Sequence, residues 1–209
     1  MADLRRPAAC RWLHCNRILV NAVESRMLNN QCHTLVLGGI RSGKTGLAEA
    51  QAMAQSQPVV YVATATAGDE EMASRISRHQ AIRPKAWGLL EEPLNLARVL
   101  AAQGQQSPVP CLLIDCMSLW LSNVLHAGDA SFQLQRDAFL AQIESYPGAL
   151  IIVSNETGLG TIGMDPLTRK FCDELGWLNQ ALAQRCQRVV LAVAGLPLML
   201  KGAAVSGLE

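Results

Sequence analysis

The sequence predicts an α/β fold, a mainly parallel sheet with helices on both faces. Three observations predict it. Short runs of Val, Ile and Leu recur between helix-forming stretches, the order that makes parallel strands joined by crossovers. Of the 209 residues, 50% are hydrophobic and only 4% aromatic, the composition of a buried sheet built from Val, Ile, Leu and Ala. Finally, Gly38-Gly39-Ile40-Arg41-Ser42-Gly43-Lys44-Thr45 forms a phosphate-binding loop between the apolar run Leu35-Val36-Leu37 and a helix-forming stretch. Together they define the P-loop NTPase class, RecA-like in plan.

The elements follow in order. After the apolar run and the loop, residues 45–55 are rich in Ala, Leu, Glu, Gln and Met and predict the first helix. Residues 59–63, Val-Val-Tyr-Val-Ala, predict a buried parallel strand whose end, Ala63-Thr64-Ala65, opens toward the ligand edge of the sheet. A second helix runs from Asp69, an N-cap residue type, to Arg83, where Pro84 stops it. Residues 87–91 read as a short strand, 94–103 as a helix, and 109–115 as a strand ending in Asp115. Helices over 117–125 and 132–146 come next, then a buried strand over 149–153 and a glycine-rich loop over 155–163. Asp165-Pro166 opens a long helix, with Leu167, Phe171, Leu175, Leu178 and Leu182 at helical spacing. Residues 189–194 supply the last strong strand.

Composition excludes several function classes. The formal net charge is +1 and no basic block with interleaved aromatics occurs, so no nucleic-acid partner is expected. No run of 18 apolar residues exists, which argues against a membrane span. Seven cysteines, an odd number without a Cys-x-x-Cys pair, fit reduced thiols in a cytoplasmic protein. Cys10, His14 and Cys15 match no zinc template. Residues 1–32 hold five arginines against Asp3 and Glu24 and read as a disordered N-terminal extension. An Arg-rich targeting segment, or a start at Met27, is the alternative. Residues 33–209 then form a single P-loop nucleotide-binding catalytic domain.

The loop states its own chemistry. Gly38 and Gly43 let backbone amides turn around a polyphosphate, Lys44 reaches the β and γ oxygens, and the hydroxyl of Thr45 suits Mg²⁺. A glycine-rich turn that holds nothing is the alternative. Asp115 ends an apolar strand, the usual placement of an acid that holds Mg²⁺ or its water shell; capping the next helix is the other reading. In the second helix, Arg75 and Arg83 lie one turn to either side of His79. Two guanidinium groups disfavour imidazolium, which leaves the ring neutral and able to attack phosphorus. A solvated basic face with a bystander histidine fits the same spacing.

Ordered blocks extend these motifs. They are the loop itself, Tyr61-x-Ala63-Thr64, Asp69-Glu70-Glu71-Met72-x-x-Arg75-Ile76-x-x-His79-x-x-x-Arg83-Pro84, and residues 87–91. Further on stand Asp115-Cys116-x-Ser118-Leu119-Trp120-Leu121-Ser122-Asn123, Ser154-Asn155-Glu156-x-Gly158-x-Gly160, Leu178-Asn179-Gln180 and Val193-Ala194-Gly195-Leu196-Pro197-Leu198. Across residues 34–201 the chain resembles the bifunctional adenosylcobinamide kinase/adenosylcobinamide-phosphate guanylyltransferase family of cobalamin biosynthesis. The resemblance implies phosphorylation of adenosylcobinamide with ATP or GTP. It also implies transfer of GMP from GTP through a guanylyl-histidine, for which His79 occupies the family position, with Arg78 where some relatives carry a second histidine.

The same resemblance implies Lys44 as catalytic with His79. It implies nucleotide contacts from the loop, from Ala63, Thr64 and Ala65, from Gln80, Ala81, Ile82 and Arg83, and from Glu91 and Asp115. Thr45 and Asp115 are the implied metal residues, and a homo-oligomer, a trimer, is the implied assembly. Asn155 and Glu156 stay open between corrinoid, metal and a loop hydrogen-bond network. A kinase for another small molecule, and a nucleotide switch or RecA-like motor, are the competing functions.

Overall fold

A computed structural model describes residues 32–66, 84–160 and 163–203. The chain order is β1 (Thr34–Gly38), α1 (Lys44–Met53), β2 (Val59–Ala63), β3 (Gly88–Glu91), α2 (Leu96–Gln103), β4 (Cys111–Asp115) and α3 (Met117–His126). Then come α4 (Asp129–Ser145), β5 (Leu150–Asn155), α5 (Pro166–Arg185), β6 (Arg188–Val193) and β7 (Leu196–Lys201). The strands form one sheet in the order β3-β2-β4-β5-β1-β6-β7. All neighbours pair in parallel except β6 and β7, which are antiparallel. This is a P-loop NTPase sheet in which β5 stands between the strand that feeds the phosphate loop and the strand that carries Asp115.

The central strands are apolar on both sides, and successive residues serve opposite faces. Leu35, Leu37, Leu112, Ile114, Leu150 and Ile152 pack under α2, α3, α4 and α5. Val36, Tyr61, Leu113, Ile151 and Val153 pack against Ala48 and Ala52 of α1. Small residues let α1 lie close to the sheet and hold the loop's exit fixed. On the other face Trp120 is fully buried; its Nε1 donates to the Leu94 carbonyl at 2.8 Å and its ring sits 5.6 Å from that of Phe139. An indole of that size contributes on the order of 4–6 kcal/mol of transfer free energy.

The boundaries that differ from the sequence expectation have local causes. β4 begins at Cys111 rather than 109 because Pro110 has no N–H to give a ladder. α4 starts at Asp129 rather than 132; the Phe132 amide donates to the Gly128 carbonyl at 3.0 Å, so a polar first turn precedes the apolar pattern. α5 starts where Asp165-Pro166 places it, with the Asp165 carboxylate accepting from Leu167 N at 3.0 Å and Thr168 N at 2.8 Å. Leu175, Leu178 and Leu182 are buried as expected, whereas Leu167 is exposed. β7 is an addition: the strand expected over 189–194 forms as β6 (Arg188–Val193), and a further strand follows it. Ala194 (φ 52°) and Gly195 (φ 83°) make a two-residue turn between β6 and β7, and Pro197 is tolerated because β7 is an edge strand. The predicted helix over 69–83 and the extension over 1–32, apart from its last residue, lie outside the described residues.

Candidate nucleotide and phosphoryl-transfer site

The phosphate loop leaves β1 at Gly38 and enters α1 at Lys44. At Gly38 the requirement for glycine is close packing: a Cβ there would stand 2.9 Å from the Ala192 carbonyl oxygen and would collide with the Ser42 hydroxyl. At Gly43 it is conformational, φ being 90°, and a Cβ would also meet Gly195 Cα at 3.0 Å. Arg41 adopts φ 55°, an uncommon conformation for a residue with a side chain. Ile40 is 90% exposed at the tip of the loop. The Gly195 amide donates to the Ser42 carbonyl at 2.9 Å, so the β6–β7 turn braces the loop from the side. Lys44 Nζ donates to the Gly39 carbonyl at 3.0 Å, which keeps the ammonium over the loop. The N-terminus of α1 adds its partial positive charge at the same point.

Asp115 stands at the carboxyl end of β4, two strands from the loop's own strand. Its Oδ2 accepts from Thr45 Oγ1 at 3.2 Å and from Tyr61 Oη at 2.9 Å. The acid therefore serves the loop; α3, which begins beside it, has no side-chain cap. Tyr61 escapes sequence reasoning because an aromatic residue in an apolar strand reads as core. The only signal was its place in the Tyr61-x-Ala63-Thr64 block.

Register aligns the other predicted contacts along the same edge. Ala63 pairs with Asp115 on one side and Glu91 on the other, and Gly38 pairs with Asn155. Ala65 follows on the strand exit, half-buried, and Glu91 is exposed. Thr64 is fully buried and commits its hydroxyl to Cys116, donating to the carbonyl at 2.8 Å and accepting from the amide at 2.8 Å. His79, Gln80, Ala81, Ile82 and Arg83 lie outside the described residues, so the structure does not bring them to this edge or away from it.

A polar network supports the edge from behind. Asn155 Nδ2 donates to Ser118 Oγ at 2.7 Å, Ser118 Oγ lies 3.1 Å from Cys116 Sγ, and Asn179 Nδ2 donates to the Asn155 carbonyl at 3.1 Å. Burial, joined by the Asp115 charge, pushes the Cys116 thiol up, so it serves as a neutral packing group. Glu156 Oε1 accepts from the Gly158 amide at 3.1 Å and its own amide donates to the Gly38 carbonyl at 3.0 Å. Beyond Thr64, a cleft of about 450 Å³ is lined by Thr66, Pro93, Leu94, Ser122, Asn123 and His126. Asn123 ties its walls together by donating to the carbonyls of Thr64 and Pro93.

Thr45 and Asp115 offer hard oxygens 3.2 Å apart beside a polyphosphate cradle, a donor set that fits Mg²⁺ bound through few protein ligands and several waters. No group of three or more His, Cys, Asp or Glu suited to a metal occurs among the described residues. No helix among them is long and apolar enough to cross a membrane.

Residues 34–200 match the family described as cobinamide kinase / cobinamide phosphate guanyltransferase. The chain is 50% identical over 169 residues to the bifunctional adenosylcobalamin biosynthesis protein CobP of Pseudomonas aeruginosa, covering 80% of this chain and 96% of that protein. It is 34% identical over 181 residues to the bifunctional adenosylcobalamin biosynthesis protein CobU of Escherichia coli K12, covering 80% and 98%. Among solved structures, the RadB recombinase aligns at a TM-score of 0.44 and 15% identity, covering 77% of this chain and 73% of its own.

Proposed function

Since the chain belongs to the cobinamide kinase / cobinamide phosphate guanyltransferase family, we propose that one phosphate loop serves two successive transfers in cobalamin biosynthesis. The observation that carries this reading is the hydrogen bond that joins Thr45 of the loop to Asp115 at 3.2 Å. It sets the two residues proposed to hold the cation side by side next to the loop.

In the first transfer, ATP or GTP gives its γ-phosphoryl group to the hydroxyl of adenosylcobinamide. The loop amides and Lys44 hold the β and γ oxygens and stabilise the charge that spreads over them as the bond to the leaving diphosphate breaks. Mg²⁺, when bound, neutralises part of that charge; Thr45 and Asp115 would hold it and its waters. In the second transfer, the neutral imidazole of His79 attacks the α-phosphorus of GTP. A nitrogen–phosphorus bond forms as the bond to pyrophosphate breaks. The phosphate of adenosylcobinamide phosphate then displaces histidine, giving adenosylcobinamide-GDP and restoring the free ring. The sequence spacing, with Arg75 and Arg83 each four residues from His79, supports the neutral ring. Ala63, Ala65, Glu91 and the segment 80–83 contact the nucleotide in this reading, while Thr64, fully buried, fixes the strand exit through its bonds to Cys116 and Asp115.

We also propose that residues 33–209 are the catalytic unit, that it works in the cytoplasm, and that it assembles as a homotrimer. Five free cysteines among the described residues accord with a reducing compartment. The test is covalent labelling. GTP labelled at the α-phosphorus deposits acid-labile label on the wild-type chain and none on His79→Ala, while label at the γ-phosphorus stays off both. Equal labelling of wild type and variant ends the guanylyl-histidine reading.

A further inference from the structure

Tyr61 is 4% exposed and sits one pleat repeat before the end of β2, opposite Leu113, while Ala63 is opposite Asp115. Its ring spans that repeat along the sheet, and its hydroxyl donates to Asp115 Oδ2 at 2.9 Å. Thr45 Oγ1 donates to the same oxygen at 3.2 Å. A carboxylate oxygen has two lone-pair sites, so these two donors fill Oδ2. Polarity then decides what each group has left. Thr45 has turned its single proton toward Asp115 and presents its lone pairs elsewhere, which is what a cation ligand must do. Asp115 keeps only Oδ1 for a further partner.

We propose that Tyr61 is a positioning residue for the cation that accompanies the nucleotide phosphates. Its hydroxyl fixes the Asp115 carboxylate, which in turn holds the Thr45 hydroxyl with its lone pairs toward that cation. The Tyr61 bond is the shorter of the two and comes from a side chain buried in the core, whereas Thr45 is half-buried at the start of α1. Tyr61 is thus the fixed end of the relay. This inference rests on the nucleotide-transfer reading above. A tyrosine that only filled the core would cost stability on losing its hydroxyl and leave cation dependence where it was.

The full chain carrying Tyr61→Phe keeps the ring and its packing and loses the bond. Mg²⁺ is titrated against binding of a fluorescent GTP analogue. The Mg²⁺ midpoint rises about tenfold, the range expected when the partner of a metal-side group is removed. Affinity for the analogue in excess EDTA stays within about twofold of wild type, and saturating Mg²⁺ restores binding. Thr45→Ala raises the midpoint by itself, and adding Tyr61→Phe to it raises the midpoint by less than the two single effects combined, because both converge on the Asp115 carboxylate. A Tyr61→Phe midpoint within about twofold of wild type overturns the proposal, as does an additive double variant. A wild-type chain that binds the analogue with no dependence on Mg²⁺ overturns the nucleotide-transfer reading, and the relay with it.

Discussion

Gly43 concentrates two constraints in one residue. Its φ of 90° suits only glycine, and its α-hydrogen faces Gly195 where a methyl would lie 3.0 Å from a backbone carbon. Gly43→Ala therefore strains the backbone by about 1–3 kcal/mol and pushes the loop off the β6–β7 turn. We expect a lower melting temperature together with at least tenfold weaker nucleotide binding; thermal unfolding and a nucleotide titration check both. The residues that make the loop were legible in the sequence because their chemistry depends on near neighbours. Asp115 was legible for the same reason, as an acid at the end of an apolar run. Tyr61 was not, since its role depends on the pairing of β2 with β4, fifty-odd residues apart. The hydroxyl of Thr64 is a similar case: its bonds to Cys116 exist only once those strands meet.

Among elements, the β6–β7 hairpin combines a functional contact with a suboptimal turn. Ala194 at φ 52° bears the cost of a left-handed conformation, which asparagine tolerates better in this type of turn. Ala194→Asn should stabilise the protein by about 1 kcal/mol, read as a higher urea midpoint with an unchanged slope, and it should leave nucleotide affinity alone. Central strands were readable because burial on both faces writes a continuous apolar run. β7 was not: its outward leucines alternate with Pro197 and Met199, and a proline in so short a run argues against a strand unless the strand is known to be an edge. Helix starts set by capping, as at Asp165, were placed correctly, whereas α4 opened on a polar turn that periodicity does not register.

At the scale of the whole molecule, burial of thiols ties stability to pH. Burial pushes Cys111 and Cys186 up to about 12 from 9.0, and Cys116 upward as well. The folded chain thus holds protons that the unfolded chain releases. Stability from these groups is complete below about pH 9 and is lost as pH rises toward 12. Urea midpoints at about pH 8 and about pH 10.5 should differ, the higher pH giving the lower midpoint; a flat profile would contradict the buried, protonated thiols. Removing residues 1–32 tests the proposed extent of the catalytic unit. The shortened chain should retain GTP labelling within about twofold of full length, because the matched region begins at residue 34.

The bond from Gly195 to Ser42 also orders events during synthesis. The phosphate cradle emerges early from the ribosome, but the backbone that braces it is translated near the end of the fold. A nascent chain that has exposed α1 and β4 but not yet the hairpin has every phosphate-binding residue and no brace beneath them. The loop therefore gains this bond only once the polypeptide has been synthesised through Gly195.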